Sequence, residues 1–487
     1  MLGGLETALR RSHPDRPAVL GRRGIRRGDL ADLATMYAGA LHHRGLTAGD
    51  TLGVAVRPGP RALAIMLAAY RLGLRVAVLD PSAGPDVLTA RLALAQPALV
   101  VADAAAQAVA GWAQRLAGRA GLALPSLDRL GPVVTVGRRL PGCAPALESR
   151  AGGAAPDRSD MDGDAVIVFT SGTTSRPRAV VHTRASVSAG MAAVARLVGP
   201  RPDDVVLGGT FFVLVPALAS GATVAQPARS SRKLAAQLGR LRPQHTYLTP
   251  PQLRAALDAG ARFTGSVYSG SAPVSAALLD RARAAGATAA YGVYALTELF
   301  PAAAVEAAEK AAFDGDGDLI GAPLPGVSAS VDDTGQLLLS GPSAAHRYLG
   351  EEPLRNVATG DVAHLDAHGR IVLGGRCKDM ILRRAENIYP GLYEPALHVP
   401  GVNLALLVGV PAGDGDEKLV AVVEPQPGAD ERALRAALAA PLARMGAARP
   451  DAVVFAPVPV AGRSRKPDRA AASALAARLT AAGDGRG

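Results

Sequence analysis

The chain alternates two hydrophobic rhythms over its first two-thirds. DLADLATMYAGALHHRGL (29–46) repeats its apolar residues at helical spacing, and TLGVAV (51–56), after a Gly-Asp turn, reads as a strand. ALAIMLAAYRLGL (62–74) is again helical, and RVAVLD (75–80) is a buried strand ended by Pro81. Helix and strand in alternation predict mostly parallel sheet covered by helices. The pattern weakens over 104–163, which reads as a helix followed by irregular connections, then returns at AVIVF (165–169). QHTYLTP, ARFTGSVYSG and ATAAYGVY follow as strand-to-loop transitions, and ligands of open α/β sheets bind at such strand ends.

After residue 320 the texture changes. VSASVDDTGQLLLSGP and GDVAHLDAHGRIVLGG read as antiparallel hairpins with turns at Thr-Gly and His-Gly. Beyond GGRCKDMIL, LYEPALHV reads as a helix, NLALLVGVP and LVAVVEP as strands, and ERALRAALAAPLARM as a helix. The fold class is therefore α/β with a β-barrel-like section. A large N-terminal domain of layered sheets and helices (1–376) precedes a small α+β domain (377–487) of ordinary domain size.

Composition narrows the function classes. At 487 residues with 49% apolar and 20% charged positions, the chain has material for more than one core and little tendency to disorder. Aromatics are only 3%, so a pocket for an acyl chain would be lined mainly by aliphatic side chains, with Phe211, Phe212, Leu214 and 245–254 as contributors. The net charge is +11, yet the arginines are scattered with no basic block, which argues against a nucleic-acid binder. Only five lysines occur, at 233, 310, 378, 418 and 466. Two distant cysteines, Cys143 and Cys377, suit a reducing cytoplasm, and the N-terminus lacks an apolar signal core. The uncharged run 205–228 is long enough to raise a membrane span, but Pro216 and its β-rich first half predict strand, helix and strand instead.

Six stretches carry candidate chemistry. VFTSGTTSRPRAVVHT (168–183) leaves a strand and presents Thr170, Ser171, Gly172, Thr173 and Thr174 beside Arg176 and Arg178, a composition suited to wrapping an anion. YSGSAP (268–273) ends a strand with Ser269, Gly270, Ser271, Ala272 and Pro273, small residues that let a flat ring approach the backbone. YALTE (294–298) offers an aromatic face at Tyr294, and Thr297 and Glu298 supply hard oxygens for Mg²⁺. TGD (359–361) precedes a strand, and Asp361 has two acceptors suited to ribose hydroxyls. GRCKDMILRRAENIYP (375–390) brings Arg376, and GRSRKPDR (462–469) places Lys466 in a chain that otherwise uses arginine, as though a compact, movable ammonium were required.

In this order the stretches resemble the adenylate-forming superfamily of acyl-CoA synthetases, nonribosomal peptide synthetase adenylation domains and beetle luciferases. The resemblance spans nearly the whole chain, with TSGTTSRPRA standing for the family's T-S-G-[ST]-[ST]-G-x-P-K-G. It implies that Thr170, Ser171, Gly172, Thr173, Thr174 and Arg178 cradle the ATP phosphates. Ser269 to Pro273 and Tyr294 would sandwich adenine, Thr297 would contact the α-phosphate, and Glu298 the Mg²⁺. Asp361 and Arg376 would hold the ribose, Lys466 would bridge carboxylate, phosphate and ribose oxygens, and Lys378 would be the hinge of a mobile C-terminal lid.

The expected partners are ATP, Mg²⁺, a small carboxylic acid, and CoA or the phosphopantetheine of an acyl carrier protein. The assembly expected is a monomer or homodimer, without nucleic acid or membrane span. Ser175, Ala179, Ala295 and Ala385 stand where the family pattern has glycine, and Arg465 precedes the lysine in place of one. LGGTFFVLVPALASGATVAQP and LTELFPAAAVEAAEK are similar to the branch holding olefin-biosynthesis β-lactone synthetases. Two alternatives therefore stand beside an acid–thiol ligase: β-lactone formation from a β-hydroxy acid, and a silent nucleotide- or acyl-binding relative.

Overall fold

A computed structural model describes residues 2–11, 13–21, 24–79, 85–104, 107, 131–150, 154–170, 178–376, 379–383, 386–413, 416–461 and 466–484. The alternation up to residue 306 resolves into two sheets. One has eight strands in the order Ala303–Glu306, Ala290–Tyr294, Ser266–Gly270, His245–Leu248, Val205–Leu207, Thr223–Ala225, Pro17–Leu20, Ile25–Arg26. Its six inner strands pair in parallel and the two outermost antiparallel.

The other has seven strands in the order Arg347–Tyr348, Arg178–Thr183, Asp164–Thr170, Arg75–Val78, Thr51–Ala55, Leu99–Asp103, Val133–Val136. One apolar cluster joins the two: Val76 and Val166 from one sheet, Val206 and Val224 from the other, and between them Tyr37, Leu41, Ile65, Met191 and Leu218 from four helices. The run 205–228 is strand Val205–Leu207, helix Phe211–Ala219 and strand Thr223–Ala225, as its pattern predicts. Among the described residues no helix is long and apolar enough to cross a membrane.

The section expected to be barrel-like is a five-stranded antiparallel sheet in the order Asp318–Gly321, Ile371–Arg376, Val357–Leu365, Gln336–Ser340, Ser328–Val331. Beyond it, Val402–Gly413 pairs antiparallel with Asp416–Pro425, which pairs in parallel with Ala452–Phe455. Helices Glu431–Arg444 and Arg469–Asp484 accompany this sheet. The two apolar clusters here draw every buried member from residues 381–476, so this stretch has a core of its own.

Three local expectations are corrected. LYEPALHV (392–399) is not an α-helix: it holds the 3₁₀ turn Glu394–Leu397, preceded by a second one, Pro390–Leu392, and Pro395 within it lacks the N–H that a continuous helix needs. Thr359-Gly360-Asp361 does not precede a strand but lies inside Val357–Leu365. The weakly patterned region contains the strand Val133–Val136, which extends the seven-stranded sheet beyond Leu99–Asp103.

Candidate nucleotide and acid site

Four of the singled-out stretches end on two neighbouring strands and the antiparallel sheet beside them. Ser266–Gly270 and Ala290–Tyr294 run in parallel with Ser269 opposite Gly292 and Gly270 opposite Val293. A Cβ on Gly270 would lie 2.5 Å from the Val293 carbonyl oxygen. The glycine is thus required by strand packing, whatever ligand approaches. Ser269 is fully buried, and its Oγ has no partner among the described residues. Past it the chain turns through Ser271, whose φ of 71° is left-handed and whose Oγ lies 2.8 Å from the Tyr247 hydroxyl. Ser271 and Pro273 are the exposed members of the turn, and Ala272 is half-buried.

Tyr294, at the end of its strand, donates its hydroxyl proton to Asp361. Burial, reinforced by the adjacent Asp361 carboxylate, raises the phenol far above its ordinary range, so it stays a donor. Asp361 is only 3% exposed, and its other oxygen accepts from Arg376 Nε at 3.0 Å. The two sit opposite each other in the antiparallel register.

Thr359-Gly360-Asp361 is shaped for this position. Gly360 takes a left-handed φ of 72° and its N–H donates to Gln336 Oε1 (3.0 Å), while the Asp361 N–H donates to Thr359 Oγ1 (3.0 Å). Arg376 is half exposed and is the last described residue before 379.

The loop after Tyr294 carries Thr297 and Glu298 and is held at both ends. The Ala302 N–H donates to the Tyr294 carbonyl (2.9 Å) and the Ala345 N–H to the Glu298 carbonyl (2.7 Å). Below it lies His182, the fully buried residue before the Thr183 cap of helix Arg184–Val198. That cap, Ser186 N–H to Thr183 Oγ1 at 3.1 Å, stabilises the helix start by about 1 kcal/mol and fixes where the imidazole emerges. His182 Nε2 is 2.7 Å from the Thr297 carbonyl, which can only accept, so Nε2 carries the proton and Nδ1 faces Ser186 Oγ at 3.2 Å. The imidazole therefore positions the Thr297–Glu298 loop, in keeping with a packing role.

Burial holds His182 below its ordinary value, against the opposing Thr297 hydrogen bond, and burial lowers His245 and His398 likewise. The unfolded chain binds these protons near pH 6.5. Stability is thus fully present above that value and falls as pH drops through it toward the lower folded values. The urea midpoint is expected to fall between about pH 7.5 and about pH 5.5, and less so in His182→Gln. A midpoint flat across that interval would refute the burial effect.

Tyr348 has no place among the residues singled out from the sequence, yet it joins two of them. Its hydroxyl donates to Glu298 Oε1 at 3.0 Å, and the Arg178 guanidinium lies 4.5 Å from its ring centroid. Burial, with the Glu298 carboxylate next in weight, pushes this phenol up to about 12. Strand Arg347–Tyr348 pairs with Val180 and Val181 and is pinned by Arg347, which grips Asp164 through both carboxylate oxygens at 2.9 and 2.7 Å. Burial works to raise the Asp164 carboxyl, but Arg347 and Arg75 outweigh it and hold it below the usual range. Both ends of the 170–178 connection are thereby anchored: Thr170 pairs with Arg178 across the sheet.

Ser171, Gly172, Thr173 and Thr174, with Ser175 and Arg176, lie outside the described residues, as do Lys378, Ala385 and Arg465. Two departures from the glycine pattern are explained. Ala179 sits buried in a regular strand opposite Phe169, and neither it nor the exposed Ala295 has a positive φ. Their methyl groups therefore introduce no backbone strain.

Lys466 is exposed and pairs through its backbone with Ala461. Of the residues expected from the sequence to line an acyl pocket, Phe212 packs on Phe300 with ring centroids 4.0 Å apart, and Phe300 stands edge-on to His182 at 5.5 Å. Among the described residues no cluster of three or more His, Cys, Asp or Glu side chains could hold a metal. A single carboxylate, Glu298, suits a cation such as Mg²⁺ that draws its other ligands from phosphates and water.

The profile described as AMP-binding enzyme matches residues 5–349. The chain is 28% identical over 509 aligned positions to an olefin β-lactone synthetase of Stenotrophomonas maltophilia (strain K279a), covering 89% of each. It is 28% identical over 475 positions to a sulfoacetate–CoA ligase of Cupriavidus necator (strain ATCC 17699 / DSM 428 / KCTC 22496 / NCIMB 10442 / H16 / Stanier 337), covering 87% of this chain and 88% of the relative. Among solved structures, the amide bond synthetase McbA from Marinactinospora thermotolerans superimposes with a TM-score of 0.78 at 23% identity, covering 98% of this chain and 100% of McbA. The fold is that of adenylate-forming enzymes, and with a family match running from residue 5 to residue 349 the chain belongs to the AMP-binding enzyme family.

Proposed function

We propose that the protein activates a carboxylic acid with ATP. One carboxylate oxygen attacks the α-phosphorus, the bond from that phosphorus to the bridging oxygen of pyrophosphate breaks, and pyrophosphate leaves with the electron pair. The product is a mixed acyl-phosphate anhydride of AMP. Two anions must meet, so the work is positioning and charge neutralisation, and no protein nucleophile is consumed.

The observation that carries this reading is the arrangement of Asp361 between Tyr294 and Arg376, an anionic acceptor held buried within a strand and facing the residue that ends strand Ala290–Tyr294. In the proposed mechanism Asp361 and Arg376 hold the ribose, and Tyr294 with the turn Ser269–Pro273 flanks the base. Thr170 to Thr174 and Arg178 wrap the β- and γ-phosphates, and Thr297 donates to the α-phosphate. Glu298, steadied by Tyr348, would hold Mg²⁺, which when bound neutralises phosphate charge. Lys466 brings its ammonium to the carboxylate and α-phosphate oxygens from a C-terminal domain (377–487) that moves about Lys378 against the N-terminal domain (1–376). A cytoplasmic setting agrees with the two separated cysteines.

The adenylate is then passed to CoA or a carrier-protein thiol: the thiolate sulfur bonds the acyl carbon and AMP leaves. A second reading is favoured by the similarity to an olefin β-lactone synthetase over 89% of both chains. There the acceptor is the β-hydroxyl of the bound acid itself, which closes a four-membered ring as AMP departs. Acid-dependent ATP–pyrophosphate exchange with aliphatic, aryl and β-hydroxy acids tests the common first step. Exchange with one class supports the ligase and selects the acid. ATP binding without exchange across the panel favours a silent relative instead.

A further inference from the structure

Arg469 is not needed by the mechanism above, yet few side chains in the C-terminal region have more partners. It opens helix Arg469–Asp484, three residues after Lys466. Its Nη1 and Nη2 grip the two Glu394 oxygens at 2.7 Å each, Nη1 also donates to the Leu407 carbonyl (2.9 Å), and Nε donates to Asp379 Oδ2 (3.0 Å). Glu394 is committed in turn, since the Leu407 N–H donates to its Oε1 at 2.8 Å.

Each partner lies on a different element. Glu394 belongs to the 3₁₀ turn Glu394–Leu397 and Leu407 to the strand Val402–Gly413, while Asp379 follows directly on residues 377 and 378. A guanidinium is suited to this, because its planar fork meets one carboxylate with two parallel bonds and keeps a third donor for another.

On the other side, the backbone leads straight from Arg469 to Lys466. The Asp468 N–H donates to the Pro459 carbonyl (2.9 Å), Asp468 Oδ1 accepts from the Ala471 N–H (3.0 Å), and Lys466 pairs with Ala461. Only Pro467 and Asp468 lie between Lys466 and Arg469. These contacts join Asp379, Glu394 and the start of this helix, and through Asp468 and Pro467 the segment bearing Lys466.

We infer that Arg469 is a positioning residue that couples the chain just after Lys378, the hinge of the proposed mechanism, to the lysine segment, so that the orientation of that chain sets where Lys466 stands. The inference rests on the adenylating reading, with Lys466 in its assigned role. Asp379 is the end of the tether to test, because Asn in its place keeps the packing and removes only the charge, whereas truncating Arg469 strands two carboxylates and endangers folding.

Wild-type exchange is measured first; its absence with every acid, ATP binding being retained, overturns the ligase reading and not the tether. With exchange in hand, Asp379→Asn is expected to lower kcat about 10-fold or more, as a small misplacement of a catalytic group does. KM for ATP should stay within about twofold, because Asp361 and Arg376 are untouched, and the unfolding midpoint should hold. Asp379→Glu is expected to recover a substantial part of kcat, and Arg469→Lys, which reaches one carboxylate in place of two, to resemble Asp379→Asn. Unchanged kcat in Asp379→Asn, or KM rising in step with lost kcat, overturns the tether.

Discussion

Lys466→Ala is expected to lower acid-dependent exchange by about 100- to 1,000-fold, the usual loss when one preorganised charge aimed at a reacting centre is removed. The protein should remain folded. Lys466 is exposed on a short ribbon, and replacing such a side chain shifts stability by no more than about 0.5 kcal/mol as a rule. ATP should still bind, because the ribose and base contacts proposed here come from other elements. The measurement is pyrophosphate exchange beside ATP binding on the same preparation. Retained exchange would remove Lys466 from the mechanism, and lost ATP binding would make it a nucleotide anchor.

Asp361→Asn is the second large effect. The amide still accepts from Tyr294, but it no longer offers Arg376 a negative partner, nor ribose hydroxyls a charged acceptor. Hydrogen bonds to charged groups contribute about 1.5–3 kcal/mol each, so KM for ATP is expected to rise about 10- to 100-fold. The maximal rate with saturating ATP should fall less. Arg376 is half exposed and water replaces part of what it loses, so the stability cost stays below that of breaking a fully buried pair. Titration of the exchange rate with ATP separates the two effects. An unchanged KM would mean that Asp361 serves the sheet and not the nucleotide.

These two residues show how differently the site could be read in advance. Lys466 stands out as one of five lysines in an arginine-rich chain, and its place near the end is a matter of composition and order. Asp361 was legible as a residue type in a Thr-Gly-Asp motif, but its context was not. The motif lies inside a strand, where cross-strand register sets Asp361 against Arg376 and a hydroxyl from a different sheet closes over it. Gly270 was legible as a small residue at a strand end; that the Val293 carbonyl, 2.5 Å from where a Cβ would stand, demands it was not. Tyr348 escaped altogether. Its partner Glu298 is 50 positions away, and a single tyrosine in His-Arg-Tyr-Leu has no periodicity or spacing to mark it.

The linear order of residues determined the alternation of helix and strand, the change to antiparallel hairpins after residue 320, and the set of side chains proposed to handle a nucleotide. Those properties are local: a 3.6- or 2-residue period and a run of hydroxyls are carried by neighbours in the chain. Tertiary structure alone decided that the alternation splits into two sheets with shared helices between them, that His182 supports the Thr297 carbonyl 115 positions away, and that Arg469 binds Asp379 across 90. Such contacts depend on register and on which polar groups are left to satisfy one another once the apolar faces are buried, and neither is written in any short stretch of the chain.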